Sequence, residues 1–368
     1  MTSIIYVGMD VHTAHYTLCC YSFENDQLFA STQVEPDYKN ILKYLERISK
    51  NYDDCHFLCG YEAGSLGYTL YHQLTEHNID CVILAPSTMP KTVKAEIKTD
   101  KRDAAKIAKC LAYNTYSAVY IPDAEDNAVR EYIRMRNDAK DALKRIKQQL
   151  LSFCKRHGKH YTDGSNWTQK HIAWLNKQDF GNAILQETFR EQIILYNQAC
   201  SKLEMFDKRI EELAQQERYA ENVKKLSCLI GVKTFTALGM LVETGDFNRF
   251  QKAEHYASYL GLVPGEHSSG ESTKRTGITK AGNSHARKLL IESAQSYSRG
   301  AVGSKSKTLA ARQAGNDPEV IAYADRANER LKRKCYKIMF RSKRNIAVTA
   351  VARELACFMW GMMTGKTA

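Results

Sequence analysis

The sequence holds 368 residues, 43% hydrophobic and 26% charged, with 53 Lys and Arg against 41 Asp and Glu and a formal net charge of +12. That length exceeds one ordinary core and predicts two or three domains, globular and soluble by composition, and no uninterrupted apolar run reaches the ~18 residues that would span a bilayer. The basic excess favours a polyanionic partner, while eleven cysteines at irregular spacing with no CxxC pair argue against a zinc finger or a disulfide framework and for reduced, mostly buried thiols.

MTSIIYVGMDVH lacks a basic leader, a long apolar stretch and a small-residue cleavage site, so no secretory signal is expected and the compartment is read as the cytoplasm. Ile5, Val7 and Met9 alternate with Tyr6, Gly8 and Asp10, which predicts a first strand. Aromatic and β-prone residues follow at 15–22, and a third strand near Gln27–Thr32 completes a meander. Helical spacing at Tyr38–Ile48, Leu66–Glu76 and Asp100–Leu111 alternates with short apolar strands at His56–Gly60 and Cys81–Leu84. The pattern predicts a mixed α/β domain over 1–122.

IPDAEDN at 121–127 reads as a linker. Two long helices are expected next, in a helical arm or coiled-coil element over 123–220. Val129, Ile133, Leu143, Ile146 and Leu150 mark an apolar face of the first, and Ile193, Tyr196, Leu203, Phe206, Ile210 and Leu213 one of the second, over Glu187–Gln215. Arg136, Lys140, Lys144 and Lys147 form a basic stripe at spacings of 4, 4 and 3, a candidate nucleic-acid surface or a solvated face. Residues 221–300 form a third, mostly helical unit. In it LSCLIGVKTFTALGMLVETGDFNRF reads as two apolar helices about a turn at Ile230–Val232, either a helix–hairpin–helix gripping phosphate or a plain αα-hairpin. A Gly/Ser/Thr/Lys-rich loop follows at 261–284, then a helix from about Ser284. The tail, 301–368, is helical and basic, with nine Lys and Arg and only Glu329 as an acid between Arg326 and Arg344.

Four carboxylates could meet. Asp10 ends the first strand on the face of Gly8, Glu62 follows another strand on the face of Gly60, and Asp100 and Asp103 share one face at the start of a helix. Several such oxygens are what a hard divalent cation needs. Taken singly, each has a plainer use: a helix cap at Asp100, a turn at Asp10, a surface ion pair at Glu62. Residues 261–290 add hydroxyls (Ser268, Ser269), cations (Lys274, Arg275, Lys280, Arg287) and turn glycines, the makings of a phosphate-contacting loop.

These segments together resemble the insertion-sequence 110 family of transposases, related to the Piv-type DNA invertases. The likeness rests on GMDVH (Gly8–His12), YEAG (Tyr61–Gly64), Ala85–Pro86, KTDKRDAAKIA (Lys98–Ala108), Ile230–Phe250 and GLVPGEHSSG…GITKAGNSHARKLL (Gly261–Leu290). The resemblance implies a RuvC-like, RNase H-type N-terminal domain whose Asp10, Glu62, Asp100 and Asp103 hold Mg2+ (or Mn2+). It also implies a C-terminal transposase domain with a nucleophilic serine before a glycine, which is Ser269, with Ser268 adjacent. Ala63–Gly64–Ser65 departs from the family's Thr-Gly after the glutamate, a change in the turn and not in the carboxylate. Donor and target DNA, a structured guide RNA and assembly into a homo-oligomer, dimer to tetramer, are implied as well, with no membrane partner. The residues alone leave two rivals: a structure-selective RNase H-like nuclease using water, and a non-enzymatic nucleic-acid-binding scaffold.

Overall fold

The computed structural model describes residues 3–52, 54–90, 99–269 and 272–366, with the side chains of 267–275 outside that description. The chain divides into two compact units, Met1–Ile121 and Pro122–Ala368.

In the first unit, β1 (Ser3–Val11), β2 (Tyr16–Ser22) and β3 (Gln27–Val34) form an antiparallel meander. Helix α1 (Tyr38–Ser49) leads to β4 (Cys55–Glu62), α2 (Thr69–Glu76) to β5 (Asp80–Leu84), and α3 (Asp100–Ala112) closes the unit. The sheet order is β3-β2-β1-β4-β5, with β4 parallel to β1 and β5 parallel to β4. Period two does what the sequence predicts. Ile5, Val7 and Met9 are buried in one core with Ile41, Tyr44, Leu45 and Ile48 of α1 and Leu70 and Leu74 of α2. Gly8 faces the other way, where Ile107 and Leu111 of α3 pack with Leu84.

Gly8 and Gly60 fix how close that helix lies. A Cβ on Gly8 would stand 2.0 Å from the Ala104 carbonyl oxygen, and one on Gly60 would stand 2.9 Å from methyl carbons of Leu111 and Leu84. The sheet therefore presents bare backbone where α3 crosses it.

The second unit is helical apart from one hairpin. Helices α4 (Ala124–Arg156) and α6 (Ala183–Ala214) are paired, with α5 (Gln169–Asn176) between them in sequence. At 1.5 Å per residue, α4 runs about 50 Å and joins two separate cores. Val129 and Ile133 pack with Ile210 and Leu213 in the main core, whereas Leu150, Phe153 and Cys154 pack with Leu175 and Phe189 in a smaller one. Residues 123–127 are no linker. Asp123 caps α4 by accepting from the Asp126 amide at 2.9 Å, and Arg218 binds both acids, so the polar run is a helix start.

Helices α7 (Glu217–Leu226), α8 (Thr234–Thr244), α9 (Ala253–Tyr259), α10 (Ser284–Ala294), α12 (Pro318–Met339) and α13 (Arg344–Thr364) complete the main core, α11 (Lys307–Gln313) packs on α7, and β6 (Pro264–Ser269) and β7 (Ser272–Ile278) form the hairpin. Most of LSCLI is the turn after α7, not a helix. Its Ile230 amide donates to Asn328 Oδ1 at 2.8 Å, which commits that turn amide within the protein, and Gly231 is pressed on the Ser293 carbonyl. By length and composition α13 could cross a membrane, yet Val351, Ala352, Leu355, Ala356 and Met359 are fully buried in this core. All eleven cysteines are free and most are buried.

Candidate active site

Asp10 and Asp100 come together with His12 at the C-terminal edge of the first unit's sheet, with Asp103 close enough for its charge to act on Asp10, while Glu62 lies outside that cluster. The parallel ladder sets Gly8 beside Gly60 and Met9 beside Tyr61, so Asp10 and Glu62 follow on neighbouring strands, on the face that α3 covers. Because the Ala104 carbonyl sits over Gly8, the first turn of α3, with Asp100 and Asp103, lies over Asp10. Burial raises the Asp10 carboxyl above the usual carboxylate range, and the charges of Asp100 and Asp103 add to this against the opposing pull of His12. Asp100 is held below that range, chiefly by a hydrogen bond from His15 Nε2 to Oδ2 at 2.9 Å. Asp100 is not the cap of its helix. Thr99 occupies that position, which leaves the Asp100 carboxylate to its neighbours. Glu62 makes no ion pair among the described residues.

The sequence reading did not weigh two histidines. His12 Nε2 lies 3.3 Å from Asp10 Oδ1, and His15 holds Asp100, both from the tight connection between β1 and β2. Their signal was present as His-x-x-His beginning two residues after Asp10. Ligand atoms of Asp10, His12 and Asp100 lie within 4.8 Å of one another. Cation–oxygen bonds of about 2.1 Å place opposite ligands about 4.2 Å apart, so a small closure suffices for one ion. The donor set is mostly carboxylate oxygen with one imidazole, and like charges crowd a half-buried Asp10, so the residues fit a divalent cation. Beside them opens a cleft of about 440 Å³ lined by Thr17, Gln33, Thr99, Asp100 and Lys101. Thr17 pairs across the sheet with both Asp10 and Gln33, and its buried Oγ1 lacks a partner.

The second constellation is a hairpin where the sequence predicted a loop. Ser269 pairs with Ser272 and Ser268 with Thr273. The missed signal was the run of hydroxyl and β-branched residues from Ser268 to Ile278, which suits paired strands as well as a loop. Gly270 lies outside the described residues, as do the side chains of Ser268, Ser269, Lys274 and Arg275. The hairpin's base is fully described. Gly261 and Gly282 have φ of +64° and +75°, and a Cβ on either would stand 2.1 or 1.9 Å from the carbonyl oxygens of Ala281 and Tyr259. Arg287 donates to the Leu260 and Ala281 carbonyls at 2.8 and 3.2 Å, while Lys280 is exposed.

Beneath this base sits Glu243, with 1% of its side chain exposed. Arg134 of α4 grips it with two bonds of 2.9 Å, and Asn283 donates to its Oε2 at 2.8 Å while capping α10. Burial would raise this carboxyl, but Arg134 and Asn283 outweigh burial and hold it below the usual glutamate range.

The basic stripe on α4 is largely committed within the protein. Arg136 pairs with Asp207 at 2.7 and 3.0 Å and lies over Phe235, Lys140 binds Glu292 at 2.9 Å, and Lys147 lies over Trp167 and Tyr196. Lys144 is exposed.

Against known proteins, residues 7–157 match a DEDD-type family model described as "Transposase", and residues 223–308 match the model "Transposase IS116/IS110/IS902 family". The chain is 33% identical to "Putative transposase y4qE" of Sinorhizobium fredii, over 97% of this chain and 88% of that one. It is also 33% identical to the transposase for insertion sequence element IS1533 of Leptospira borgpetersenii, over 90% and 95% of the two chains. A pilin gene-inverting protein of Moraxella bovis is 24% identical over 78% of this chain and 80% of its own.

Proposed function

Since the chain belongs to the IS110 family of transposases and so acts on DNA in transposition, we propose that it cuts and rejoins strands through a covalent serine–DNA link. Asp10, Glu62, Asp100 and Asp103 would hold Mg2+, with Mn2+ an alternative, His12 beside Asp10 as the imidazole donor and His15 orienting Asp100. The bound ion supplies Lewis-acid stabilisation of charge on the scissile phosphate. The Ser269 hydroxyl loses its proton and attacks phosphorus. A serine–phosphate bond forms, the bond to the 3′ oxygen breaks, and that oxygen leaves as a hydroxyl after taking up a proton. The 3′ hydroxyl of the exchanged strand then attacks the same phosphorus and returns the serine. The phosphodiester's energy is kept in the covalent link, so the scheme needs no nucleotide triphosphate.

The observation that carries this reading is the convergence of Asp10, Asp100 and Asp103 at one sheet edge, beside an unpaired Glu62 and an open cleft. A RuvC-like, RNase H-type domain over 1–122 accords with the mixed five-stranded sheet. We assign 123–220 to a coiled-coil arm used in oligomer assembly, dimer to tetramer, 221–300 to the transposase domain, and 301–368 to a basic tail. A structured guide RNA pairs with donor and target DNA and is held through phosphates, sugars and shape, with Lys144, Lys274, Arg275 and Lys280 among the contacts. Work at the nucleoid in the bacterial cytoplasm follows.

The test incubates protein, RNA transcribed from the element's flank and junction DNA, then denatures the mixture. The parent protein yields a protein–DNA adduct that Ser269→Ala abolishes and that Ser268→Ala retains. An adduct persisting in Ser269→Ala, or cleaved ends free of protein in the parent, would overturn the serine assignment.

A further inference from the structure

We propose that the turn between α12 and α13 is a wedge that enters duplex DNA and kinks it, with Phe340 as the inserted side chain. The basic tail contains six cations between Arg333 and Arg344 and no acid. The structure sorts them into two kinds. Lys334 shares Glu354 with Arg330, Arg333 pairs with Glu329, and Arg344 binds Ser298 and Gln295. Lys337, Arg341 and Lys343 are exposed and without ion-pair partners among the described residues. These three flank Phe340, the residue that ends α12.

Phe340 is 95% exposed, more than any other large apolar side chain described. Ile346, 56% exposed, stands at the start of α13, and Tyr336 lies one helical turn before Phe340. Tyr336 is itself anchored, its hydroxyl donating to the Gly300 carbonyl at 2.7 Å, so Phe340 projects from a fixed helix end.

A bare aromatic ringed by unspent cations is unlike a protein-docking patch, whose apolar centre is depleted in charge. It is also unlike a membrane-binding face, which needs a broad apolar stripe. Single-stranded nucleic acid is tracked by grooves, and here the ring stands on a turn between helices. Apolar side chains that enter a base step, flanked by Arg and Lys on phosphates, kink duplexes by about 20–90°. DNA is the substrate class of this family, and of the proposed function the inference takes only that. Because bending is read without cleavage, failure of the serine chemistry leaves it standing.

A duplex of about 40 base pairs is short against the persistence length of about 150 base pairs, so one kink dominates its end-to-end distance. The full-length protein is mixed with such a duplex from the element's junction, labelled at both ends for energy transfer and carrying 2-aminopurine at successive steps. Circular dichroism checks folding, which an exposed position leaves intact. The parent shortens the duplex and brightens one 2-aminopurine step. Phe340→Ala keeps binding but loses both signals, and Phe340→Trp keeps them. Replacing Lys337, Arg341 and Lys343 by Gln weakens affinity and lowers the slope of log affinity against log salt by about 2 to 3.

Any of these results would overturn the proposal. The parent could leave the duplex straight, or Phe340→Ala could bend it as the parent does. A single strand of the same sequence could displace the duplex, which would make the turn a stacking site for unpaired bases. Phe340→Ala could change the sedimentation of the DNA-free protein and leave the bend intact, which would make the turn a contact between copies.

Discussion

Gly8→Ala is the smallest change that tests whether the fold places the carboxylates. The added Cβ would meet the Ala104 carbonyl oxygen at 2.0 Å and the Ala108 amide nitrogen at 2.3 Å, both backbone atoms of α3. Contacts below about 3.0 Å are not tolerated, so helix or strand must part by roughly 1 Å. No flexible side chain lies between them to yield. Overpacking of this kind costs about 1–3 kcal/mol, and more where backbone must move. The same displacement carries Asp100 and Asp103 away from Asp10, and a shift of about 1 Å in reacting geometry lowers rate by about 100-fold. Urea unfolding should therefore show a lower midpoint with little change in slope, and junction cleavage should fall by about two orders of magnitude even at temperatures where the variant is folded. A Gly8→Ala protein with the parent's midpoint and rate would refute the close crossing of α3 and the placement argued from it.

Asp10→Asn should separate stability from function. A carboxyl raised above its unfolded value disfavours the fold once pH exceeds both values, so removing its charge at pH 7 without metal should raise the melting temperature, while cleavage and Mn2+ binding measured by calorimetry are lost. Asp100→Asn should weaken the same Mn2+ binding at least 10-fold; unchanged affinity would remove Asp100 from the ligand set. Arg134→Ala leaves the buried Glu243 without its cation and with Asn283 as its remaining side-chain donor, so it should cost about 3–5 kcal/mol by urea unfolding. Glu243 has a depressed carboxyl, so its stabilisation is present above its unfolded value of about 4.3 and lost as pH falls through the folded one. Glu243→Gln should flatten that part of the acid-unfolding profile, and an unchanged profile would deny the pair its role.

How much of this could be read from the sequence depends on the range of the interaction. Period two in β1 fixed which residues share a face with Asp10, and the i,i+3 spacing of Asp100 and Asp103 placed both in one helical turn, because each rule is local. The same rules misjudged the α4 stripe. Spacing put Arg136 and Lys140 on one face but could not reveal that Asp207, 71 residues on, and Glu292, 152 residues on, neutralise them. Composition likewise made 261–284 a loop, since Gly, Ser and Thr suit turns and edge strands alike, and the choice was made by ladder bonds between Ser269 and Ser272 and by the closed contacts at Gly261 and Gly282. His12 and His15 were overlooked because their partners are set by how sharply the chain turns after β1, which no periodicity reports. A charge counted in a sequence is therefore only a candidate for binding. What makes it one is having no partner once the chain has folded, a test that removes Arg136 and Lys140 from the unpaired charges and leaves Lys337, Arg341 and Lys343 among them.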